Sequence, residues 1–166
     1  MHTVLILGTA RNDGNTHQLA QQLAEQNGWD VVNLNDYRIG FYDYEHSNRA
    51  DDFIPLMHRL SCDYQTLVFT TPVYWYSMSG VLKVFFDRIT DLLKIEKELG
   101  RTLRGKNMAV VTSSNGGNLG ERFWLPFAHS AEYLGMTFLG GKHFLNGQTD
   151  AAQLHAFSRL IEEGTS

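Results

Sequence analysis

The sequence has few of the residues that form disulfides or metal sites, the links that stabilise a protein in addition to its hydrophobic core. Cys62 is the single cysteine among 166 residues, so an internal disulfide and a cysteine-based metal cluster are impossible within one chain. The seven histidines show no ligand spacing such as H-x-x-x-H. We therefore expect no metal, and we expect the histidines to lie on the surface or in polar loops. Stability has to come from a core, which a chain of this length can form.

Charge of one sign and long apolar runs are scarce as well. The net charge of −4 gives no reason to expect nucleic acid or an anionic membrane as a partner. No apolar run approaches the roughly 18 residues of a membrane span. The first residues lead directly into a short apolar run and lack the pattern of a secretory signal. We expect a cytoplasmic protein.

What the sequence does have is a regular alternation of short apolar runs and helical patterns. Continuous apolar runs bounded by Gly, Pro or polar residues are typical of strands that are buried on both faces. The last run is the weakest because Gly140 and Gly141 interrupt it. The runs predict five strands, at 3–7, 31–34, 67–71, 108–112 and 137–144.

Apolar residues recur at helical spacing after each predicted strand. Segment 35–50 shows no period and predicts a surface loop, and another loop is predicted around Gly100 and Gly105. Strands that alternate with helices predict an α/β fold, here one domain over residues 1–166, with a parallel sheet covered by helices on both faces. The predicted helices cover 16–26, a segment that begins after Asp51 or Asp52, 81–93, 121–134 with a disturbance at Pro126, and a last segment around 154–161.

The loop after the first strand suits an anion. Residues 8–16 read GTARNDGNT, and the two flanking glycines permit a tight turn. Thr9, Asn15 and Thr16 offer hydroxyl and amide donors, Arg11 adds a charged fork of N–H groups, and the next helix presents its N-terminus. The dinucleotide pattern G-x-G-x-x-G and the lysine of a Walker A loop are both absent, so a monophosphate fits better. An ordinary capped turn is the alternative.

The loop after the third strand is rich in aromatic residues. Residues 70–80 read TTPVYWYSMSG, with Tyr74, Trp75 and Tyr76 in succession. Ligands of parallel sheets bind outside the carboxyl ends of the strands, and aromatic rings there suit a flat heterocycle. The alternative is that the rings are core residues, and we expect at least one of them to pack beneath the next helix.

Other candidate residues carry weaker signals. The loop at 113–117 is small and polar, which lets a backbone approach a flat ligand, although many loops share this composition. Phe123, Trp124 and Phe127 belong either to the core or to the wall of a substrate cleft. Arg88 lies on the helix after the aromatic loop and is predicted to stabilise that loop or a subunit contact rather than to take part in chemistry.

In order and separation, these loops resemble those of the NAD(P)H-dependent FMN reductases and of related flavodoxin-like quinone and azo reductases. Residues 8–16 are similar to a phosphate loop that reads roughly G-S-x-R-x-x-G-N-T, and residues 70–88 to a T-P-x-Y…G-x-L-K…D-R segment. The resemblance covers nearly the whole chain and implies a flavodoxin-like five-stranded parallel sheet in the order 2-1-3-4-5. Ser79 is a departure, because many relatives have Pro there, so the turn into the helix is expected to differ.

The resemblance also implies a site for FMN. FMN carries the chemistry, so no side chain is assigned a catalytic role. The extra cysteine motif of the iron–sulfur branch is missing, so no cluster is expected. The implied contacts are Thr9, Arg11, Asn15 and Thr16 at the phosphate, Pro72, Val73, Tyr74 and Trp75 along the isoalloxazine edge, and Ser113, Asn115 and Gly116 on its other side.

The activity implied by the resemblance is that of an FMN-containing oxidoreductase. It would take hydride from NADH or NADPH, bound transiently, and reduce a small acceptor: a quinone, an azo or nitro compound, or free flavin. The alternative is a flavodoxin-type one-electron carrier. The weak net charge and the three consecutive aromatics argue against it. A protein that has the fold without turnover is a third reading. Relatives commonly form dimers or tetramers, and aromatics in segment 35–50 and around Trp124 favour a homo-oligomer.

Overall fold

Five strands form one parallel sheet in the computed structural model, which describes residues 2–165. Their order in the sheet is 2-1-3-4-5, with every neighbouring pair parallel, which confirms the flavodoxin-like order. The three central strands are buried almost throughout, which accounts for their continuous apolar runs. The strands are β1 (Thr3–Leu7), β2 (Asp30–Asn33), β3 (Thr66–Pro72), β4 (Asn107–Ser114) and β5 (Thr137–Leu145).

Helices cover both faces of the sheet. Side chains of β1 alternate between two cores, since Val4 and Ile6 enter one and Leu5 the other. None of the helices within residues 2–165 is both long enough and apolar enough to cross a membrane. The helices are α1 (Asn15–Asn27) and α6 (Ala151–Gly164) on one face, and α2 (Phe53–Asp63), α3 (Gly80–Lys94), the short α4 (Lys97–Arg101) and α5 (Leu125–Leu134) on the other.

Two parts of the chain differ from the prediction. The expected loop around Gly100 contains α4, in which a Cβ on Gly100 would collide with the backbone carbonyl of Leu92. β5 is continuous where the glycines predicted an interruption, and its register with β4 shifts by one residue before Gly140. Hydrogen bonds across the sheet therefore override the low strand propensity of glycine.

Segment 121–134 breaks near Pro126, as predicted. A 3-10 turn covers Glu121–Trp124, and α5 begins at the next residue. Pro126 stands in the first turn of α5, where its missing N–H costs no helical hydrogen bond. Phe123 and Phe127 are core residues.

The loop between β2 and α2 is fixed by a buried arginine. Arg88 on α3 is 1% exposed, and its guanidinium lies 2.5 Å from Asp51 Oδ2 and 2.7 Å from Asp91 Oδ2. The same group donates to the backbone carbonyls of Gly40 and Asn48. Arg88 thus stabilises the loop that precedes α2, and the prediction that it stabilises the aromatic loop before α3 is wrong.

Candidate active site

The carboxyl ends of β1 and β3 meet beside the start of α3. A Cβ on Gly8, directly after β1, would lie 2.7 Å from the Leu82 Cβ, so only glycine permits this approach. Ser79 caps α3 by accepting a hydrogen bond from the Leu82 amide at 3.1 Å. Its hydroxyl donates to the Gly8 carbonyl at 2.7 Å, so the serine joins the first loop to the second.

The N-terminus of α1 is open toward the first loop. Gly14 stands at the N-cap, no side chain caps the helix, and its first turn contains no acidic residue. The first amides of the helix therefore keep N–H groups available to an external acceptor. Thr9 and Thr16 are buried there, and the Thr16 hydroxyl lies 2.7 Å from the Ser113 hydroxyl at the end of β4.

These elements enclose a polar cavity of about 210 Å³. The Asn35 side chain, just beyond β2, fixes the near wall by donating to the Thr9 carbonyl and to the Asn12 amide oxygen, both at 2.9 Å. We call this the phosphate cavity; its lining residues are Thr9, Arg11, Gly14, Asn15, Thr16, Pro72, Val73, Tyr74, Ser113, Ser114, Asn115 and Asn146.

The three consecutive aromatics form a tight exposed turn. Backbone hydrogen bonds in both directions join Tyr74 to Ser77, at 2.9 and 3.0 Å. Trp75 and Tyr76 between them have φ of +50° and +61° and are 95% and 72% exposed. Tyr74 is 45% exposed as well, so the expectation that at least one ring packs under the next helix is wrong. Aromatic residues with positive φ are strained, and such strain is concentrated at functional sites.

A second cavity of about 400 Å³ opens beside this turn. Val73 and Ser114 line both cavities, so the two are contiguous. Each of the eleven residues that the sequence implicates lines one cavity or the other. We call this second space the aromatic cavity; its lining residues are Val73, Trp75, Tyr76, Ser114, Gly116, Asn118 and Leu119.

Sequence reasoning missed Asn146 and His143, and it included Ser114 only as a member of the 113–117 loop. Asn146 donates to the Asn115 side chain at 2.8 Å, while its own amide oxygen is buried without a partner among residues 2–165. The Ser114 hydroxyl lies 2.7 Å from His143 Nε2. His143 lies within β5 and is half-buried, so the expectation that the histidines lie on the surface or in polar loops is wrong for this one. No local pattern marks these residues, since only the pairing of β4 with β5 brings them together.

The chain that carries these loops matches a known protein family. Residues 1–150 match the model of the NADPH-dependent FMN reductase family. The chain belongs to this family. It is an NAD(P)H-dependent, FMN-containing oxidoreductase.

Individual relatives agree with the family. The chain is 30% identical over 180 residues to YwqN of Bacillus subtilis (strain 168), named as a candidate NAD(P)H-dependent FMN-containing oxidoreductase, covering 98% of this chain and 97% of YwqN. Among solved structures, the Trp repressor binding protein from Bacillus subtilis is 25% identical with a TM-score of 0.70, covering 96% and 97% of the two chains. An FMN-dependent NADH-azoreductase from Bacillus anthracis, in complex with FMN, has the same fold at 13% identity, a TM-score of 0.65 and coverage of 99% and 98%.

The donor set of the reductase fits FMN. The phosphate cavity combines the open helix N-terminus, two buried threonines and Arg11, whose side chain lies over Gly14. This combination is suited to a dianionic monophosphate. The unpartnered Asn146 oxygen adds a buried acceptor on the wall shared with Asn115, where the N–H groups of a flat heterocycle would satisfy it.

The strained turn gives a stability prediction for the reductase. Tyr76→Gly is expected to raise the free energy of unfolding by about 0.5–1 kcal/mol, because relief of the left-handed strain exceeds the extra entropy of an unfolded glycine. Thermal unfolding of the apoprotein checks this. Tyr44→Gly is the control, because Tyr44 is also an exposed tyrosine but has no positive φ. A Tyr76→Gly protein less stable than the parent would contradict the strain.

Proposed function

We propose that this reductase passes two electrons to a small flat acceptor, a quinone, an azo or nitro compound or free flavin, bound in the aromatic cavity. The contiguity of the two cavities through Val73 and Ser114 is the observation that carries the proposal. A ring system that extends from a phosphate in the first cavity would present one face to the second. Planar aromatic acceptors then have both a redox partner and an aromatic wall to stack against.

The roles of the side chains in this proposal follow from their places. When bound, FMN would supply the redox chemistry that moves two electrons from NAD(P)H to the acceptor. Polar groups of the phosphate cavity hold and orient the cofactor, and the aromatic turn stacks on the acceptor and keeps water from it. The residues proposed to hold FMN are Thr9, Arg11, Asn15 and Thr16 at the phosphate, Pro72, Val73, Tyr74 and Trp75 along one ring edge, and Ser113, Asn115 and Gly116 along the other.

The proposed activity is tested by following flavin absorbance without oxygen. NADPH or NADH is added to the FMN-loaded protein until the absorbance is bleached, and a benzoquinone, an azo dye, a nitroaromatic or free flavin is then mixed in. Rapid recovery of the absorbance with a two-electron acceptor is expected. Recovery with ferricyanide alone, a one-electron oxidant, would instead indicate an electron carrier.

The aromatic wall makes a sharper prediction. Trp75→Ala is expected to raise the KM for a quinone about tenfold, since one stacked ring pair contributes roughly 0.5–1.5 kcal/mol beyond the area it buries. Steady-state kinetics measure this, with the KM for NADPH recorded beside it. Tyr133→Ala is the matched control, because Tyr133 is 77% exposed but lies on α5 away from both cavities. Equal quinone KM values for the two variants would place the acceptor elsewhere.

A homodimer or homotetramer is also proposed. Phe41 and Tyr44 are exposed in the loop before α2, and Phe41 lines an apolar cavity of about 460 Å³. Exposed apolar patches of this kind mark interaction surfaces. Light scattering at micromolar concentration tests it, and the 18.9 kDa mass of one chain would contradict it. The apolar residues that line this cavity are Leu34, Tyr37, Ile39, Phe41, Val81 and Val84.

A further inference from the structure

We infer that His143 and Ser114 form a proton relay that delivers a proton to the acceptor while it is being reduced. The inference rests on the proposed function, because it assigns the proton that a two-electron acceptor consumes. It concerns Ser114 of the 113–117 loop and His143 of β5, to which the sequence assigns no role, and the hydrogen bond between them is the observation that joins them.

The direction of the hydrogen bonds defines the relay. Ser114 Oγ donates to the Gly116 carbonyl at 2.9 Å and lies 2.7 Å from His143 Nε2. A hydroxyl has one hydrogen, so the serine oxygen accepts while His143 Nε2–H donates. The Nε2 proton of His143 therefore points toward Ser114 Oγ, and Ser114 lines both cavities.

Ser114 stands at the place where an acceptor needs a proton. It is the last residue of β4 and lines both the phosphate cavity and the aromatic cavity. Its hydroxyl hydrogen can turn about the Cβ–Oγ bond once it leaves the Gly116 carbonyl. A rotation away from the Gly116 carbonyl redirects this hydrogen toward a molecule in the aromatic cavity without any movement of the backbone.

The surroundings of His143 suit a proton donor. Burial lowers the pKa of the imidazole, and the charge of the adjacent Lys142 lowers it further, so the imidazolium is a stronger acid than a free histidine. Gly141 lies on the same face of β5 and packs against Trp124, which places the 3-10 turn and α5 over this face. The titratable and charged residues of those two elements are Glu121, Arg122, His129, Glu132 and Tyr133, and among residues 2–165 none of them forms an ion pair or a hydrogen bond with His143.

The chemistry of the step balances. A quinone that takes a hydride from the reduced cofactor has gained two electrons and one hydrogen, and its second oxygen carries the negative charge. Ser114 gives its hydroxyl proton to that oxygen, and a hydroquinone forms. The serine regains a proton from Nε2 of the imidazolium, which becomes neutral imidazole. Solvent reprotonates His143, which is only partly buried.

The experiment separates acceptors that need a proton from one that does not. FMN-loaded protein is reduced with dithionite, so that the result does not depend on NAD(P)H, and is mixed in a stopped-flow instrument with a benzoquinone or with ferricyanide. His143→Gln, which keeps a donor for Ser114, and Ser114→Ala are compared with the parent. His129→Gln is the matched control, because His129 is an exposed histidine of α5.

The relay predicts a selective loss. His143→Gln and Ser114→Ala should slow oxidation by the quinone about 100-fold, the lower end of the range for general acid catalysis. Oxidation by ferricyanide should change less than twofold. In the parent, the quinone rate should fall as pH rises through the His143 pKa, which lies below the ordinary 6.5, and this dependence should vanish in His143→Gln. His129→Gln should behave as the parent.

A readout without turnover accompanies the kinetics. In the apoprotein, Ser114→Ala should change the NMR titration of the His143 ring, because it removes the hydrogen-bond partner of Nε2. An unchanged His143 titration, or equal slowing with both oxidants, would overturn the relay and leave at most a structural role. Unchanged quinone rates in both variants would overturn it as well. If even the parent fails to reduce the quinone, the proposed function fails, and the relay falls with it.

Discussion

Arg88→Ala is expected to lower the free energy of unfolding by about 3–5 kcal/mol, the usual cost of removing one partner from a buried ion pair. Arg88 stands between Asp51 and Asp91, and its guanidinium lies 4.9 Å from the centre of the Phe53 ring. Without it, Asp51 loses two hydrogen bonds, the almost fully buried Asp91 is left with His46 Nδ1 at 2.6 Å, and two backbone carbonyls lose their donors. At roughly 2–4 °C per kcal/mol for a chain of this size, the melting temperature should fall by about 6–20 °C.

A second ion pair on the same helix provides the control. Lys83 and Asp87 are exposed, with a separation of 2.5 Å, and Lys83→Ala should change stability by less than about 0.5 kcal/mol. Calorimetry of both apoprotein variants measures the difference. Equal, small changes in the free energy of unfolding for Arg88→Ala and Lys83→Ala would show that Arg88 and its two aspartates do not stabilise the loop before α2.

The stability that Arg88 gains from Asp51 and Asp91 depends on pH, and the pKa of Asp51 gives the sign of this dependence. Burial raises the pKa of Asp51, but hydrogen bonds from Arg88 and two backbone amides, together with the arginine charge, outweigh burial and lower it. A lowered pKa contributes stability that is fully present above the unfolded value of 3.8 and is lost as pH falls through the folded value. The difference in the free energy of unfolding between the parent and Arg88→Ala should therefore become smaller at acidic pH.

Thr16→Val is expected to weaken FMN binding about 10–100-fold, because a hydrogen bond to a charged phosphate contributes roughly 1.5–3 kcal/mol. Thr16 is buried at the start of α1, and its hydroxyl is held at 2.7 Å by the Ser113 hydroxyl. Valine preserves the shape and removes only the hydroxyl. Quenching of flavin fluorescence by the apoprotein measures Kd.

Riboflavin provides the internal control for this variant, since it has the ring system of FMN without the phosphate. Its affinity should be the same for Thr16→Val and the parent. Thr102→Val, just after α4, changes a threonine at the opposite end of the sheet and should alter neither Kd. If Thr16→Val weakened riboflavin as much as FMN, Thr16 would act on the ring or on the fold rather than on the phosphate.

The sequence predicts the architecture because local patterns and global topology agree. Each buried strand is a continuous apolar run, and the phosphate and aromatic loops lie directly after β1 and β3, where parallel sheets bind ligands. The exceptions are local. Gly140 and Gly141 predict an interruption of the strand, but both residues pair with β4 and β5 is continuous.

Long-range partners are the part that the sequence does not reveal. Ser114 and His143 are 29 positions apart, and Arg88 and Asp51 are 37 positions apart. Such pairs depend on strand register and on the path of an aperiodic loop, neither of which leaves a periodic signal. The sequence does not predict the turn that exposes Trp75 and Tyr76 either. This turn requires positive φ at both residues, and turns of this kind prefer Gly, Asn or Asp there.

The most direct test of the account is an anaerobic titration of the FMN-loaded protein with NAD(P)H, followed by one equivalent of a benzoquinone. We predict that the flavin absorbance is bleached in a single two-electron step and returns fully when the quinone is added, with FMN still bound. A protein that binds FMN but is not bleached by either nucleotide, or that does not bind FMN, would contradict the account.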